Sequence, residues 1–282
     1  MKEYPTIPSV DAAPDELFAE GHLWILEKVV GGHLRFRLQE SGLVRFGDRT
    51  RVYDDPDAVP EPYQHAVRHV REHLDRDALR NAVDDVAEVV FFGVATHHDG
   101  IDYDWEHLPS FLGVDVWSAG AEAFRPVDAV EGIFEGIGLE PVNVFERERR
   151  ARDFDPGSYT IPQSAWYDGP AAGVVIRDKR GRRAKLVHPE SGDAEGATPV
   201  GDSAEELAAR YATRERLERL ATRLEDDGRP VTVETLYERV LEDVLRETHG
   251  RLGHDDLETS EFRSEVGART RAFLDDRADG TA

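Results

Sequence analysis

The chain has 282 residues, of which 39% are hydrophobic, and a formal net charge of −23 from 58 acidic and 35 basic residues. This length and apolar content exclude a wholly disordered chain and suit one large domain followed by a smaller one. The absence of cysteine excludes disulfides and thiolate metal sites.

The charge balance tells more about the solvent than about the ligand. Four of the 35 basic residues are lysines, at positions 2, 28, 179 and 185. An acidic, lysine-poor composition is typical of a cytoplasm at molar salt, where the Debye length falls to about 3 Å. We therefore expect a halophilic, cytoplasmic protein with no signal peptide and no apolar run of the roughly 20 residues that span a membrane. Local basic clusters then indicate phosphate binding better than the net charge does.

The first 188 residues alternate between strand and helix patterns. After an irregular lead-in, a β-branched and aromatic run over residues 24–38 and a second over 42–46 predict a hairpin turned at Gly42. Further strands are predicted over 88–94, 111–117, 141–145, 173–177 and 183–187, and helices over 60–74, 76–86 and 128–137. Because the pattern lacks a regular βαβ alternation, we expect an α+β domain of antiparallel sheets with flanking helices.

The composition changes after residue 188. Residues 189–202 are rich in Gly, Pro, Ala and acids and predict a linker. Ser203 with Glu206 forms a capping box that begins a helix, Thr232 caps a second helix, and Ser260 begins a third. The sequence therefore predicts a domain over 1–188, a small helical C-terminal domain over 203–275 and a flexible tail over 276–282.

Lys28 is the residue on which a functional hypothesis centres. It lies within an apolar run, where strand alternation puts it on one side with Leu26 and Val30. Burial disfavours the charged form, and a lysine with a lowered pKa is a nucleophile. Gly31 and Gly32 let the backbone bend and leave room for a bulky ligand. The alternative is an edge-strand lysine whose amine reaches out to water.

Five short motifs follow one another in a fixed order. Lys28 and Gly31 form a Lys-x-x-Gly motif that Arg49 follows, and the other four motifs lie at residues 92–94, 111–115, 172–176 and 183–185. In kind and order they resemble the motifs of the ATP-dependent RNA ligase family, the covalent nucleotidyltransferases with a helical C-terminal domain, in which the lysine is the nucleophile. The match covers about residues 3–188, and the helical region also fits, whereas DNA ligases and capping enzymes carry a five-stranded barrel there.

The resemblance implies an adenylation domain over 1–188 and a reaction in three steps. Lys28 would attack the α-phosphate of ATP, displace pyrophosphate and hold AMP through a phosphoramide bond. The AMP would pass to an RNA 5′-phosphate, and a 3′-hydroxyl would then displace it to seal the strand. The implied cofactors are ATP and Mg²⁺ or Mn²⁺. The implied partners are RNA ends, including those of a nicked duplex, with no membrane and no protein partner.

The same resemblance names the residues around the nucleophile. Phosphoryl transfer spreads negative charge over the non-bridging oxygens, so cations must lie beside them. The candidates are Arg49, Arg183 and Lys185, which would also lower the pKa of Lys28. Arg183 stands in place of a lysine, which keeps the charge but changes its shape. The remaining candidate nucleotide-binding residues are Leu26, Glu27, His33 and Val114.

The chain departs from the family motifs on the acidic side of the site. Val94 replaces the carboxylate that holds the ribose, Ala172 replaces the one associated with the metal, and Val114 replaces the adenine-stacking aromatic. In the nucleophile motif, Val30 and His33 stand where a polar residue and an asparagine are usual. A hydrogen bond to a charged group contributes about 1.5–3 kcal/mol, so losing two carboxylates would cost about 3–6 kcal/mol, or roughly 10²- to 10⁴-fold.

Two hypotheses therefore stay open for the site. In the first, the chain is an active ligase that takes its metal and ribose contacts from elsewhere, with Asp99, Asp102 and Asp104 as candidates. In the second, it is a degenerate member that binds nucleotide or RNA ends without turnover.

Rival interpretations use other residues. His97, His98 and the acids that follow resemble a metal site, although a solvated polar loop is the expectation for this composition. The segment 146–152 suits either an RNA backbone or an exposed salt-bridged stretch, and the latter is favoured. The basic stretch around Arg180 and Arg182 predicts phosphate contact, and the alternative is that it is simply a charged hairpin tip. A last alternative makes the helical domain a docking module.

Overall fold

The computed structural model describes residues 1–189, 203–250 and 260–280. The chain folds into two compact units, Met1–Asp193 and Ala194–Ala282. Apart from residue 189, the predicted linker lies outside the described residues.

Two antiparallel sheets form the first unit. One has the strand order β7-β1-β8-β9 and the other β3-β2-β4-β5-β6. The strands are β1 (His22–Glu27), β2 (Gly31–Leu38), β3 (Val44–Gly47), β4 (Val89–Thr96), β5 (Phe111–Ser118), β6 (Ala123–Phe124), β7 (Val144–Arg150), β8 (Gly173–Asp178) and β9 (Arg183–Val187). The helices are α1 (Glu16–Ala19), α2 (Gln64–His73), α3 (Arg76–Ala82) and α4 (Val127–Gly136).

This arrangement confirms the predicted α+β class and most of the predicted elements. The hairpin turned near Gly42 is confirmed, because β2 pairs with β3 from Leu38 opposite Val44. The β8–β9 hairpin is also confirmed. The strand expected over 141–145 is displaced, since β7 begins at Val144 and continues to Arg150.

The single strand expected over residues 24–38 is wrong. The chain leaves the smaller sheet after Glu27 and enters the larger sheet at Gly31. At Gly31 the backbone has a φ of +156°, and a Cβ would lie 2.3 Å from the carbonyl oxygen of Ala95. A Cβ at Gly32 would lie 2.4 Å from the Tyr63 ring. These glycines therefore allow β2 to pack closely against its neighbours, and Gly31 also lines a cavity between the sheets.

Three apolar clusters hold the first unit together. The largest lies under the five-stranded sheet and contains five phenylalanines, four of which make stacked or edge-to-face ring contacts. Each such buried side chain contributes roughly 1.5–3 kcal/mol relative to an exposed one. A second cluster lies on the face of β1 and β8 that packs against Leu17 and Phe154. The third contains Trp24 and Leu26 of β1 and Leu112 of β5, so it connects the two sheets.

The loop between β4 and β5 is more apolar than the sequence predicted. Ile101, Tyr103, Trp105 and Leu108 are buried in the cluster that joins the sheets. The acidic residues between them are exposed, so buried and exposed side chains alternate along this non-helical loop. The expectation of a solvated polar loop is therefore wrong for half of its side chains.

The second unit is helical. Its described helices are α5 (Ala204–Tyr211), α6 (Arg214–Asp226), α7 (Val233–Thr248) and α8 (Ser260–Gly280). The capping boxes at Ser203 and Thr232 are confirmed. One long first helix was expected, but the chain breaks after Tyr211, and the Thr213 hydroxyl caps α6 by accepting from the Arg216 amide. The last helix continues to Gly280, beyond the start of the expected tail.

The apolar faces of these helices pack on one another. They form a single buried cluster of leucines, valines and phenylalanines. Among the described residues, the large hydrophobic side chains that are exposed are Leu43 and Val187, both in the first unit. The described helices thus leave no wide apolar face that would favour the docking-module hypothesis. Within the described ranges, no helix combines the length and the apolar character needed to cross a membrane.

Candidate active site

A cavity of about 250 Å³ lies where the two sheets of the first unit face each other. Its wall includes the segment after β1, parts of β4, β5, β8 and β9, and the N-terminal segment. Seven of the eight site residues predicted from the sequence line it: Leu26, Glu27, Lys28, His33, Arg49, Val114 and Lys185. Arg183 does not line the cavity. Arg177 and Tyr4 do line it, although they were not predicted from the sequence.

Lys28 lies one residue beyond the end of β1 and is half-buried in this cavity. Its amide donates to the carbonyl of Gly173 at 3.0 Å, so the backbone keeps its strand pairing as far as the lysine. Burial lowers the pKa of the Lys28 amine, Lys185 lowers it further, and Asp99 opposes the shift. The fraction of neutral, nucleophilic amine near neutral pH is therefore larger than for a lysine in water.

Tyr103 fixes the chain just after the lysine. Its hydroxyl accepts a hydrogen bond from the Val30 amide at 3.1 Å, and its ring packs against Trp105 and Tyr167. Burial raises the pKa of the Tyr103 hydroxyl, which therefore stays neutral. This hydrogen bond holds the segment that connects β1 to β2. The signal for this contact in the sequence is the regular spacing of Ile101, Tyr103 and Trp105.

The Glu27 carboxylate, at the end of β1, is hydrogen-bonded within the protein. The side chain is 2% exposed. It accepts hydrogen bonds from the Ser164 hydroxyl at 2.6 Å, the Asn143 amide group at 3.1 Å and the Ala165 backbone at 3.2 Å. These three donors occupy both oxygens, so Glu27 anchors the loop around Ser164 against the end of β1.

A buried ionic cluster supports the basic side of the cavity. Asp115 is fully buried and accepts from Arg177 at 2.9 Å and Arg183 at 3.0 Å on one oxygen. The Tyr4 hydroxyl donates to the same oxygen at 3.2 Å, and burial with the nearby Asp115 charge raises the Tyr4 pKa to about 12. Arg177 also donates to the Val114 carbonyl at 2.8 Å.

Arg183 therefore differs from its predicted role as a phosphate contact. Its guanidinium is buried between Asp115 and the rings of Tyr4 and Phe124, whose centroids lie 5.0 and 4.8 Å away. Arg177 faces the cavity instead. The missed signal is strand alternation, because Val175 and Arg177 are two residues apart in β8 and both line the cavity.

His33 lies beside the cations and is neutral at pH 7. Burial, with Arg49 and Arg35 close by, lowers its pKa to about 4. Both ring nitrogens are buried and make no hydrogen bond in the structure. The imidazole can thus donate from one nitrogen and accept at the other toward a bound molecule.

The acidic side of the cavity is as poor as the sequence predicted. Val94 and Val114 line it, and Ala172 is buried in the cluster between the sheets. Glu27 is the one carboxylate among the described lining residues, and its oxygens are already occupied.

No metal site is assembled in the described ranges, where no three His, Asp or Glu side chains converge. Asp102 accepts from the Trp105 indole at 3.0 Å, and Asp104 pairs with His107 at 2.8 Å. Asp99 is exposed and acts on Lys28 only through its charge. The described residues therefore do not fit a divalent ion held by protein carboxylates, and the metal interpretation of the His97–His98 segment gains no support.

The predicted basic patches are largely paired with acids. At the β8–β9 tip, Lys179 pairs with Asp128 at 2.7 Å, Arg180 with Glu20 at 2.8 Å and Arg182 with Asp178 at 2.6 Å. These cations therefore have acidic partners within the protein, and phosphate contact at this tip stays a prediction. In β7, Arg147 pairs with Glu131 and Arg149 with Glu146, as the salt-bridged alternative predicted.

Comparisons with known proteins place this geometry in a known fold. A Naegleria gruberi RNA ligase variant solved with ATP and Mn is similar with a TM-score of 0.52 and 10% identity, over 67% of this chain and 56% of that chain. The same ligase solved with PPi gives a TM-score of 0.51 and 11% identity, over 66% and 56%. The chain has the nucleotidyltransferase fold of RNA ligases.

The likeness concerns the fold. An archaeal ATP-dependent RNA ligase is similar with a TM-score of 0.49 and 15% identity, over 99% of this chain and 67% of that one. No protein-family model and no curated protein matches the sequence. The chain spans little more than half of the Naegleria ligase, so the similarity shows the RNA ligase fold and not the reaction.

Proposed function

We propose that the chain is an ATP-dependent RNA ligase that carries AMP on Lys28. The observation that supports this most is the half-buried Lys28 amine, with its lowered pKa, in a cavity that it shares with Arg49, Arg177 and Lys185. A buried lysine among cations suits attack on a phosphate, because the cations favour both the neutral amine and the anionic substrate.

The first step joins the lysine to the nucleotide. The Lys28 Nζ forms a bond to the α-phosphorus of ATP, the bond from that phosphorus to the bridging oxygen breaks, and pyrophosphate leaves. The amine loses a proton in the process, and its lowered pKa reduces the cost of reaching the neutral form. Leu26, Val114 and Val175 offer an apolar surface for the base, since all three line the cavity.

The cations supply the electrostatic part of the reaction. Negative charge on the non-bridging oxygens would be met by Lys185 and Arg49, with Arg177 beside them. Arg177 is held by Asp115 and the Val114 carbonyl, so it is oriented before a ligand arrives. His33, neutral and with no hydrogen-bond partner among the described residues, is placed to hydrogen-bond the ribose or a phosphate oxygen.

The later steps use RNA. The AMP would pass to an RNA 5′-phosphate, and a 3′-hydroxyl would displace it and seal the strand, with ends of a nicked duplex among the substrates. Residues 203–275 would hold the RNA. The helical unit has its own buried core, so truncation after residue 189 should leave adenylylation intact and abolish sealing.

A divalent ion is not assigned to protein ligands. The described cavity residues offer no free carboxylate to hold Mg²⁺ or Mn²⁺, and these ions are supplied in the assays.

The second candidate function is binding of nucleotide or RNA ends without turnover. Val94 and Ala172, which stand where the family motifs have carboxylates, favour it. The two candidates differ in a sealing assay with a 5′-phosphorylated RNA, ATP and Mg²⁺ or Mn²⁺ in molar KCl. The ligase proposal predicts a joined product with the wild type and with Lys179→Ala, and none with Lys28→Ala. Retention of RNA without any product would favour the binding protein.

A further inference from the structure

Five arginines lie together on the β2–β3 hairpin and the segment after it. In β2, Leu34, Phe36 and Leu38 are buried in the core of the five-stranded sheet, so the side chains between them project from the opposite face. Arg37 in β2 is directly opposite Arg45 in β3. This set, called the arginine row, consists of Arg35, Arg37, Arg45, Arg49 and Arg51.

Two members of the row have structural partners. Arg35 is 1% exposed and donates to the backbone oxygens of Lys2 at 2.6 Å and Arg51 at 3.4 Å. The guanidinium of Arg45 pairs with Asp54. The contact from Arg35 to the backbone of Arg51 holds the segment after β3 against the sheet, so the exposed Arg49 and Arg51 lie beside β2.

The other three members have no carboxylate within ion-pairing distance in the described part of the chain. These are Arg37, Arg49 and Arg51. Asp48, in the same segment, already accepts from the Thr50 and Arg51 amides and the Tyr53 hydroxyl. The β8–β9 tip differs, because its exposed cations face acids. Adjacent like charges without counter-charges attract an anion.

The row is continuous with the cavity. Arg49 lines the cavity, and Arg49 and Arg35 both lie close enough to His33 to lower its pKa. Each guanidinium can bind two phosphate oxygens, which suits a phosphodiester chain better than a compact anion.

We propose that the arginine row binds the phosphodiester backbone of a single-stranded RNA whose 5′-phosphate end enters the cavity beside Lys28. The inference rests on the proposed ligase function and adds to it the path of the substrate strand. The rival path is segment 146–152, whose exposed arginines lie in and just after β7 of the other sheet.

The test compares two double variants that remove the same charge. Arg37→Gln with Arg51→Gln alters the row and leaves Lys28, Arg49 and the buried Arg35 in place. Arg150→Gln with Arg152→Gln alters the rival segment. The affinity for a short 5′-phosphorylated single-stranded RNA is measured by fluorescence anisotropy over a series of KCl concentrations. Each phosphate contact contributes about 0.7 to the slope of log affinity against log salt, so the row variant should lose about 1.4 in slope.

We expect the row variant to bind RNA about tenfold more weakly, because the two exposed charged contacts that it loses are together worth about 1.4 kcal/mol. It should still take up AMP from ATP as the wild type does, and the control variant should match the wild type throughout. Unchanged affinity and slope in the row variant, or an equal loss in the control, would overturn the inference. A wild type that takes up no AMP would refute the proposed function instead, while a binding loss confined to the row variant would still support an RNA path there.

Discussion

Replacement of the buried Asp115 by asparagine tests how the basic side of the site is built. Asp115 is 0% exposed, and the guanidinium groups of Arg177 and Arg183, which it holds at 2.9 and 3.0 Å, are 2% and 6% exposed. In Asp115→Asn the two arginines keep their charges but lose the anion between them. Removing one partner of a buried ion pair typically costs about 3–5 kcal/mol, so we expect a loss of this size in the free energy of unfolding.

The assay can follow the first unit alone. All four tryptophans lie before residue 189, at positions 24, 105, 117 and 166, so denaturant unfolding followed by tryptophan fluorescence does not report on the helical unit. The matched control is Asp54→Asn, which removes an exposed carboxylate paired with Arg45 and should cost at most about 1 kcal/mol. A loss below about 1 kcal/mol in Asp115→Asn, equal to the control, would refute the idea that this carboxylate organises the two arginines.

Three further predictions concern the nucleophile. Tyr103→Phe removes the acceptor of the Val30 amide, so unfolding monitored by fluorescence should lose about 1 kcal/mol, and AMP uptake should slow. Lys28 reacts as the neutral amine, so the rate of AMP uptake should rise with pH, with a midpoint below that of an ordinary lysine. Because Asp99 raises the Lys28 pKa, Asp99→Asn should move this midpoint to lower pH in a pH–rate profile, and a shift upward would contradict the assignment. Gly31→Ala puts a Cβ 2.3 Å from a backbone oxygen of β4, so thermal unfolding should occur at a clearly lower temperature, and an unchanged Tm would disprove the close packing.

The residues that the sequence could predict are those whose pattern is local. Lys28, Lys185 and Arg49 are far apart in the chain and yet line one cavity. They could be predicted because each belongs to a short local motif, and the motifs follow the order of the strands. The caps at Ser203 and Thr232 could be predicted because a capping box is complete within four residues.

The contacts missed by the sequence are long-range. Nothing near Arg183 indicates that Asp115, 68 residues earlier, withdraws it from the cavity, or that Tyr4 covers it. The break between β1 and β2 depends on how closely Gly31 approaches β4, which the continuous apolar run over 24–38 does not reveal. The ion pairs at the β8–β9 tip come from Glu20 and Asp128, which lie in distant segments.

Intact-mass analysis after incubation with ATP and Mg²⁺ or Mn²⁺ in molar KCl would detect AMP bound to Lys28. Lys28→Ala is the test variant, and Lys179→Ala, which removes an exposed lysine, is the matched control. The account predicts a mass gain of one AMP on the wild type and on Lys179→Ala, and none on Lys28→Ala. The absence of an adduct on folded wild-type protein under every condition, or an adduct that persists in Lys28→Ala, would contradict it.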